Sequence, residues 1–337
     1  MNGYRLFLPK NQEKSCDMND VICLNPDFST TRRVTRISPA RCALPDVKFD
    51  CILSLPPAQS RTGEGGLRMQ GYFKVNSDSN QNVGRQVEEG SEPLVTIITA
   101  VFNGEKTLEK TILSVINQSY SNIEFIIIDG SSTDGSLDII KKYEHAIDYW
   151  VSEPDGGIYD AWNKGVRLST GDWIAFLGSD DMYVDGAIQA YATFIEEHPV
   201  TTLEYVSSRV NLTKDSKVLG VIGAPWNWSV LRKYMKVAQV GSMHHRCLFE
   251  KYGLFDDSYK ISGDYEFLLR PGPHLRADFL NAITVNMQIG GASDANIQVF
   301  REVVKAKIST GNRNILMSYF EKYWAIFKWK LRNYLRS

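Results

Sequence analysis

Side chains that could bind a metal ion or a nucleotide follow each of four predicted strands in the middle of the chain. They are Phe102 and Asn103 after the first strand, Asp129 after the second, Asp155 after the third, and Asp180 and Asp181 after the fourth. In parallel sheets flanked by helices, ligands bind beyond the carboxyl ends of the strands. We therefore expect these residues to share one edge of a sheet.

The adjacent carboxylates Asp180 and Asp181 favour a divalent-cation site. Mg²⁺ and Mn²⁺ prefer oxygen ligands, usually one or two carboxylates together with phosphate oxygens of a substrate. A metal held there would neutralise the charge of a diphosphate. The alternative is that the two acids cap a helix that begins at Tyr183.

Asp129 ends an apolar strand and is followed by a Gly-Ser-Ser-Thr-Asp-Gly turn. Its carboxylate could accept hydrogen bonds from a base or a ribose, or it could form an Asx turn that leads into the next helix. Neither the first nor the second strand leads into GxGxxG, and GxxxxGK[ST] does not occur in the chain. These patterns argue against a dinucleotide-dependent dehydrogenase and against a P-loop nucleotidase.

Alternating strands and helices must position these residues. The run from Leu94 to Phe102 is rich in β-branched residues and nearly continuously apolar, which predicts a strand buried on both faces. Three further short strands are predicted after it, and the segments between the strands have helical apolar spacing, as at Leu108, Ile112 and Ile116. The strands are predicted over residues 94–102, 124–129, 147–151 and 173–177. This order predicts an α/β fold with a doubly wound, mostly parallel sheet flanked by helices.

Composition defines the general class of the protein. Of the 337 residues, 43% are hydrophobic and 23% are charged, which is typical of globular domains and excludes disordered and collagen-like chains. No apolar run approaches the length of a membrane-spanning helix, and residues 1–5 do not begin a signal peptide, so we expect a cytoplasmic protein. The cysteines at 16, 23, 42, 51 and 247 are interpreted as reduced thiols, with a zinc site as the alternative.

Charge is divided unevenly along the chain. Residues 301–337 hold nine Lys or Arg and two acids, a net charge of +7, which leaves −8 for residues 1–300. The acidic body argues against nucleic acid as a partner. From Leu316 to Leu335, apolar residues follow helical spacing with Lys and Arg between them, which favours a helix lying on an anionic membrane surface. The alternative is a helix packed on the rest of the chain or on a second copy.

Together these segments resemble the glycosyltransferases of family 2, which have the GT-A fold. Each segment alone is weakly specific, but all of them occur in the family's order between residues 94 and 270. The matching segments are 95–105, 114–120, 127–135, 152–165, 171–181, 253–257 and 261–270. We therefore predict an irregular N-terminal extension over 1–91, a GT-A domain over 92–290 and basic amphipathic helices over 291–337.

The resemblance implies an inverting transfer of a sugar from a nucleotide-diphosphate sugar to an acceptor hydroxyl, with Mg²⁺ or Mn²⁺ as cofactor. By position in the motifs, Asp181 would bind the metal and Asp264 would be the catalytic base. The donor would be bound by Thr99, Phe102, Asn103, Asp129, Asp155 and Asp180, with Lys164 as a candidate phosphate contact. Two positions depart from the family: Gly263 stands where many members have Glu, and Trp162 lies near a position that is often Arg.

Asp264 suits the role of base because an acceptor alcohol is a poor nucleophile at neutral pH and needs a carboxylate to accept its proton. The alternative is that Asp264 caps the helix from Tyr265 to Arg270. His245 matches a region that often carries a histidine near the acceptor or the diphosphate, and a structural histidine is the alternative.

The resemblance also implies a glycan or polyprenyl-linked acceptor in bacterial surface-polysaccharide synthesis. Such an acceptor would place the enzyme peripherally on the inner face of the plasma membrane. The rival interpretations are a metal-dependent nucleotidyltransferase on a similar sheet and a non-catalytic glycan-assembly or membrane-docking protein that keeps the fold.

Overall fold

The computed structural model describes residues 21–39, 49–75, 92–198, 203–290 and 298–334. The strands are β1 (Val34–Thr35), β2 (Gly63–Gly65), β3 (Phe73–Lys74), β4 (Val95–Val101), β5 (Ile123–Asp129), β6 (Tyr149–Ser152), β7 (Trp173–Gly178), β8 (Met182–Tyr183), β9 (Tyr205–Lys214), β10 (Lys217–Ile222), β11 (Ser242–His245) and β12 (Ala277–Gln288). The helices are α1 (Leu108–Ile116), α2 (Ser136–Lys142), α3 (Ile158–Leu168), α4 (Ala187–Glu196), α5 (Trp228–Leu231), α6 (Cys247–Tyr252), α7 (Gly263–Leu269), α8 (Gln298–Ser309) and α9 (Ile315–Tyr334).

Four parallel strands in the spatial order β6, β5, β4, β7 form the centre of the main sheet. All four were predicted from the sequence, and the α/β fold with helices on both faces is confirmed. The last residues of β4, β5 and β6 lie side by side in the sheet, with Val101 opposite Asp129 and Asp129 opposite Ser152. The loops after these strands therefore meet at one edge, which we call the rim (residues 102–107, 130–135, 153–157 and 179–181).

Each face of the sheet packs against its own hydrophobic core. One core lies under α1 and α4 and includes Ile97, Phe125 and Tyr191. The other lies under α3, α6 and α7 and includes Phe176 and Phe267. Because successive strand residues point to opposite faces, the continuous apolar runs of β4 and β5 fill both cores.

The second half of the chain extends the same sheet beyond β7. Strand β11 pairs antiparallel with β7 and with β9, and β9 continues the sheet to β12 and β8. The long strand β12 returns Gln288 to the rim, where it contacts Asp181. Helix α8 packs on α7, and α9 packs on α8.

Part of the N-terminal extension is built into the main sheet. Strand β2 pairs antiparallel with β6. Close by, Arg68 donates to Glu124 of β5 at 2.6 Å, and this ion pair is buried. Residues 63–68 thus stabilise the outer edge of the parallel strands. Residues 1–20, 40–48 and 76–91, which hold Cys16 and Cys42, lie outside the described residues.

Candidate active site

The first two rim loops are held together by hydrogen bonds between them. Asn103 adopts a left-handed backbone conformation with φ of 53°. Its amide N–H donates to Ser132 Oγ at 2.8 Å, and its Oδ1 accepts from the Thr133 amide at 2.8 Å. The amide of Gly104 donates to Ser136 Oγ at 2.8 Å. These contacts fix the rim surface to which Phe102 and Asn103 belong.

Phe102 is the exposed aromatic residue of this surface. Its relative exposure is 67%, which is unusual for a phenylalanine next to a buried strand. An exposed ring on a rim can stack on a nucleotide base. Phe102 therefore lies where the sequence predicts it, and its contact with a base stays a prediction.

Thr99 and Asp129 are buried below the rim surface, and their contact with the nucleotide stays a prediction. Both have a relative exposure of 0%. The alternation of β4 places Thr99 on the same face as Ile97 and Val101, inside the core under α1. The carboxylate of Asp129 accepts from the Ser132 amide at 3.1 Å and from Ser152 Oγ at 2.6 Å. Asp129 thus supports the loop from below, as in the Asx-turn alternative.

Asp155 lies on the loop after β6 and turns its carboxylate towards the loop after β5. A Cβ added to Gly130 would lie 2.5 Å from Asp155 Oδ2, so a glycine is required for this approach. Asp155 Oδ1 accepts from the Gly157 amide at 2.8 Å, while burial raises the pKa of the carboxyl group. Asp155 is thus fixed at the junction of two rim loops, and its place beside the donor stays a prediction.

Lys164 and Trp162 both belong to α3, and neither offers a free cation to a phosphate within the described part of the chain. Lys164 Nζ lies 3.0 Å from Glu153 Oε1 and donates to the carbonyl of Pro154 at 3.1 Å. Its charge therefore stabilises the loop that carries Asp155, and a phosphate contact stays a prediction. Trp162 is buried beside Phe176.

Asp180 and Asp181 form a close carboxylate pair at the end of β7. A Cβ added to Gly178 would lie 2.6 Å from Asp181 Oδ2 and 3.0 Å from Asp180 Oδ1. Asp181 is 5% exposed, and its Oδ1 accepts from the Gln288 amide at 2.9 Å. Burial and then the charge of Asp180 raise the pKa of Asp181 to about 7. Tyr183 lies in β8, so the helix-cap alternative is wrong.

This carboxylate pair fits a divalent cation. Burial raises the pKa of Asp180, and burial together with the charge of Asp180 raises the pKa of Asp181, so a cation would stabilise the ionised pair. The described residues contain no cluster of three or more His, Cys, Asp or Glu that could hold a metal ion. Asp181 stays the predicted metal ligand, with Asp180 beside it, and Mg²⁺ or Mn²⁺ sites commonly complete their coordination with phosphate oxygens and water.

Asp264 lies in the first turn of α7, next to the rim. Ser262 occupies the N-cap position, so the alternative that Asp264 caps this helix is wrong. Asp264 Oδ1 accepts from the Tyr159 hydroxyl at 3.2 Å and from the Tyr265 amide at 2.8 Å. The side chain is partly exposed, and burial raises its pKa to about 6. A carboxylate with this pKa is ionised at neutral pH and basic enough to accept a proton.

Gly263 leaves room for the ring of Tyr159. A Cβ at position 263 would lie 2.9 Å from Cε2 of that ring, so the glutamate found here in many family members would displace it. On the same segment, Lys260 Nζ donates to the carbonyl of Gly156 at 2.7 Å. These contacts join the Asp264 segment to the rim loop after β6.

Glu302 of α8 positions the Asp264 segment and was not predicted from the sequence. Its carboxylate accepts from three consecutive amides, those of Lys260 at 3.1 Å, Ile261 at 2.8 Å and Ser262 at 2.9 Å. The sequence did offer one signal: Glu302 and Glu321 are the two acids in a segment, residues 301–337, that is otherwise rich in Lys and Arg. Glu321 is also structural, pairing with Lys307 and Arg313.

His245 lies at the opposite edge of the sheet from the rim, which corrects its predicted role at the acceptor or the diphosphate. It pairs with Trp173, the first residue of β7, whereas the rim follows the last residue of that strand. The antiparallel direction of β11 causes this reversal. Burial lowers the pKa of His245 to about 4, so it is a neutral structural histidine that contacts the Trp173 ring.

The fold and the rim define a glycosyltransferase of the GT-A type, and comparison with known proteins gives the family. Residues 96–260 match the family described as glycosyl transferase family 2. An uncharacterized glycosyltransferase of Mycobacterium tuberculosis is 36% identical over 187 residues, which cover 53% of this chain and 69% of that protein. The chain belongs to glycosyl transferase family 2.

Solved structures at low sequence identity share the fold. S. aureus TarS 1-349 in complex with UDP-GlcNAc matches with a TM-score of 0.53 at 16% identity, covering 66% of this chain and 69% of that one. The mannosyltransferase PcManGT from Pyrobaculum calidifontis, in complex with GDP-Man and Mn²⁺, matches with a TM-score of 0.52 at 17% identity, covering 72% and 74%. At these identities the likeness supports the fold alone.

The carboxylate pair makes a prediction about stability and metal binding. A carboxyl group whose pKa is raised by folding opposes folding once it ionises, so Asp181→Asn should raise the melting temperature above about pH 7. This gain in melting temperature should shrink as the pH falls towards about 4, the pKa of an unfolded aspartate.

Mn²⁺ should raise the melting temperature of the wild type and leave that of Asp181→Asn unchanged. Asp185→Asn, an exposed neighbour, is the control for thermal-shift measurements. Equal stabilisation of both proteins by Mn²⁺ would remove Asp181 from the metal site.

Proposed function

We propose that the chain is an inverting glycosyltransferase of hexosyltransferase type that uses a nucleotide-diphosphate sugar. The observation that carries this proposal is the presence of two chemically different carboxylate sites, one on the rim and one on the helix next to it. Asp180 and Asp181 form a buried pair suited to a cation, and Asp264 is a single carboxylate with a pKa of about 6. A donor diphosphate needs the first site, and an acceptor alcohol needs the second.

In the proposed reaction, Asp264 accepts the proton of the acceptor hydroxyl as its oxygen attacks the anomeric carbon of the donor. The new bond joins that oxygen to the anomeric carbon, and the bond from this carbon to the diphosphate oxygen breaks. The nucleoside diphosphate leaves with the electron pair, and attack from the opposite side inverts the anomeric configuration. The Tyr159 hydroxyl, which donates to Asp264 Oδ1, orients the carboxylate for this transfer.

Asp181, with Asp180 beside it, would hold Mg²⁺ or Mn²⁺. The ion, when bound, supplies positive charge that stabilises the departing diphosphate. The Gln288 amide orients Asp181, and Gly178 lets both carboxylates approach the end of β7. The PcManGT complex, which contains Mn²⁺ together with GDP-Man, supports a divalent metal.

The ligands and names of similar proteins support the donor and suggest the acceptor. Two fold neighbours are complexes with UDP-GlcNAc and with GDP-Man. A glucosyltransferase of Escherichia coli, WfaP, is 34% identical over 148 residues, covering 43% of this chain and 58% of that protein. Its name specifies a sugar diphosphoundecaprenol acceptor. We propose a glycan or polyprenyl-linked acceptor in surface-polysaccharide synthesis, on the cytoplasmic side.

If Asp264 is the base, its substitution should lower turnover while leaving donor affinity nearly unchanged. Asp264→Asn keeps the shape of the side chain but cannot accept the proton, so turnover should fall roughly 10²–10⁴-fold. Donor affinity, measured by calorimetry, should change far less, because the proton transfer belongs to the transition state. The wild-type rate should also fall as the pH drops through about 6. Asp257→Asn, exposed and seven residues earlier, is the matched control. Turnover near that of the wild type would exclude Asp264 as the base.

Helix α9 carries an exposed apolar face, which supports our proposal that this helix lies on the surface of an anionic membrane. Leu316, Phe320, Tyr323, Phe327 and Leu331 follow helical spacing and are 47% to 80% exposed. Lys322 and Lys328 lie on the same helix, over aromatic rings. Among the described helices, none is both long and apolar enough to cross a bilayer. Contact along the surface of an anionic membrane is the arrangement that suits such a helix.

This surface gives a second prediction for the proposed function. Replacing Phe320 and Phe327 by Ser should weaken co-sedimentation with phosphatidylglycerol vesicles, and wild-type binding should fall with added salt. The control is the replacement of Val218 and Leu219 by Ser, because these exposed apolar residues belong to β10. If both double variants bind as tightly as the wild type, α9 does not bind the membrane.

A further inference from the structure

A short segment of the N-terminal extension, residues 61–65, lies beside the strand that leads into one of the rim loops. Strand β2 ends this segment and pairs antiparallel with β6, with Gly63 opposite Ser152. The antiparallel direction places the start of the segment at the carboxyl end of β6, where the rim begins. Arg61 and Thr62 therefore lie at the rim, although they precede the stretch that matches the family.

Arg61 binds the first residue of the rim loop after β6. Its Nε and Nη2 donate to Glu153 Oε2 at 3.1 and 3.0 Å. Its Nη1 donates to Glu64 Oε2 at 2.7 Å, and its Nη2 also donates to the carbonyl of Pro56 at 2.7 Å. The side chains of Arg61 and Glu153 are each 11% exposed, so this ion pair is weakly screened. The planar guanidinium thus ties the loop that carries Asp155 to the N-terminal extension.

Glu153 is held by cations from two parts of the chain. Arg61 binds its Oε2, and Lys164 Nζ lies 3.0 Å from its Oε1. The amide of Glu153 donates to the carbonyl of Asp129 at 3.0 Å, which fixes the backbone at the same point. Loss of Arg61 would leave one oxygen of this buried carboxylate without its charged partner. The loop would then have to shift to let water replace that partner.

Thr62 starts a chain of hydroxyl groups that reaches the other rim loops. Its Oγ1 lies 2.6 Å from Ser152 Oγ, and the Ser152 hydroxyl donates to Asp129 Oδ2 at 2.6 Å. Because a serine hydroxyl has one proton, Thr62 is the donor to Ser152. The Ser132 hydroxyl donates to Asp129 Oδ1 and accepts from the Asn103 amide at 2.8 Å. The chain of hydrogen bonds therefore connects Thr62 to the loops after β5 and β4.

We propose that the 61–65 segment positions the donor site, with Arg61 and Thr62 as positioning residues that act through Glu153 and Ser152. This inference rests on the proposed function, because it requires that the rim binds the nucleotide sugar. A donor that binds to loops already held in place loses less free energy to ordering them. The segment therefore raises donor affinity, and the proton transfer at Asp264 does not depend on it.

The test uses the full chain and calorimetric titration with UDP-GlcNAc, UDP-glucose, GDP-mannose and dTDP-glucose in the presence of Mn²⁺. Arg61→Met removes the charge that holds Glu153, so the affinity for the nucleotide sugar that the wild type binds should fall about tenfold. The donor KM for nucleotide release should rise with kcat nearly unchanged. Arg61→Lys, which keeps the charge, should lose less affinity than Arg61→Met.

Arg32→Met is the matched control for Arg61→Met. Arg32 also belongs to the N-terminal extension, and its Nη1 donates to the carbonyl of Ser119 at 2.9 Å. Ser119 lies between the end of α1 and the start of β5, at the edge of the sheet opposite the rim. General loosening of the extension would lower donor affinity in both variants, whereas positioning of the rim predicts a loss in Arg61→Met and wild-type affinity in Arg32→Met.

Thr62→Val tests the chain of hydroxyl groups. It removes the donor to Ser152 and keeps a branched side chain, so donor affinity should fall, by less than in Arg61→Met. Thr30→Val is the matched control, because Thr30 Oγ1 donates to the carbonyl of Ala146 at 2.7 Å and Ala146 precedes the first residue of β6. Donor affinity of this control should equal that of the wild type.

Amide hydrogen exchange without nucleotide separates this inference from the proposed function. Residues 153–157 should exchange faster in Arg61→Met than in the wild type or in Arg32→Met. Wild-type affinity in Arg61→Met, an equal loss in Arg32→Met, or a fall in kcat with the donor KM unchanged would overturn the inference. If the wild type binds none of the nucleotide sugars while the difference in exchange persists, the proposed function has failed, and the positioning of a donor falls with it.

Discussion

The contact between Glu302 and the amides of residues 260–262 is the interaction on which the arrangement of the site depends. It joins α8, which follows the stretch matched by the family, to the segment that carries Asp264. A buried carboxylate that accepts from three backbone amides fixes the chain far better than packing alone, because charge-assisted hydrogen bonds are strong and directional. Helix α8 and the segment that carries Asp264 therefore form one packed unit.

Burial gives the two carboxylate sites different properties. At the end of β7 it combines with the charge of a neighbouring aspartate and raises the pKa of Asp181 to about 7, which creates a site that a cation stabilises. At α7 the pKa of the single, partly exposed carboxylate of Asp264 is raised to about 6, and a tyrosine hydroxyl and an amide orient this carboxylate. The residues proposed as metal ligand and as base thus have the same side-chain type and differ in their surroundings.

The sequence predicted the four central strands because short apolar runs that alternate with helical segments have few other interpretations. It also placed Asp155, Asp180 and Asp181 on one rim, since parallel strands end at the same edge. It could not place His245, because the direction of β11 depends on its partners β7 and β9. It could not show that Thr99 points into a core, nor that Glu302 reaches the segment before Asp264 from a distant helix. Contacts of this kind depend on tertiary packing.

The rate of Mn²⁺-dependent nucleotide release from a nucleotide sugar, compared between wild type, Glu302→Gln and Glu302→Ala, tests the positioning of Asp264 by Glu302 most directly. We predict release by the wild type and a fall in kcat of about 10²-fold for Glu302→Ala, the usual cost of misplacing a catalytic group by about 1 Å. The donor KM should be little changed, and Glu302→Gln, which keeps an acceptor oxygen, should retain more activity. The acid limb of the pH–rate profile of Glu302→Gln should lie at lower pH than that of the wild type, because the charge of Glu302 helps to raise the pKa of Asp264. No release from any nucleotide sugar by the wild type, or a loss of donor affinity with kcat unchanged, would contradict this role of Glu302 and Asp264.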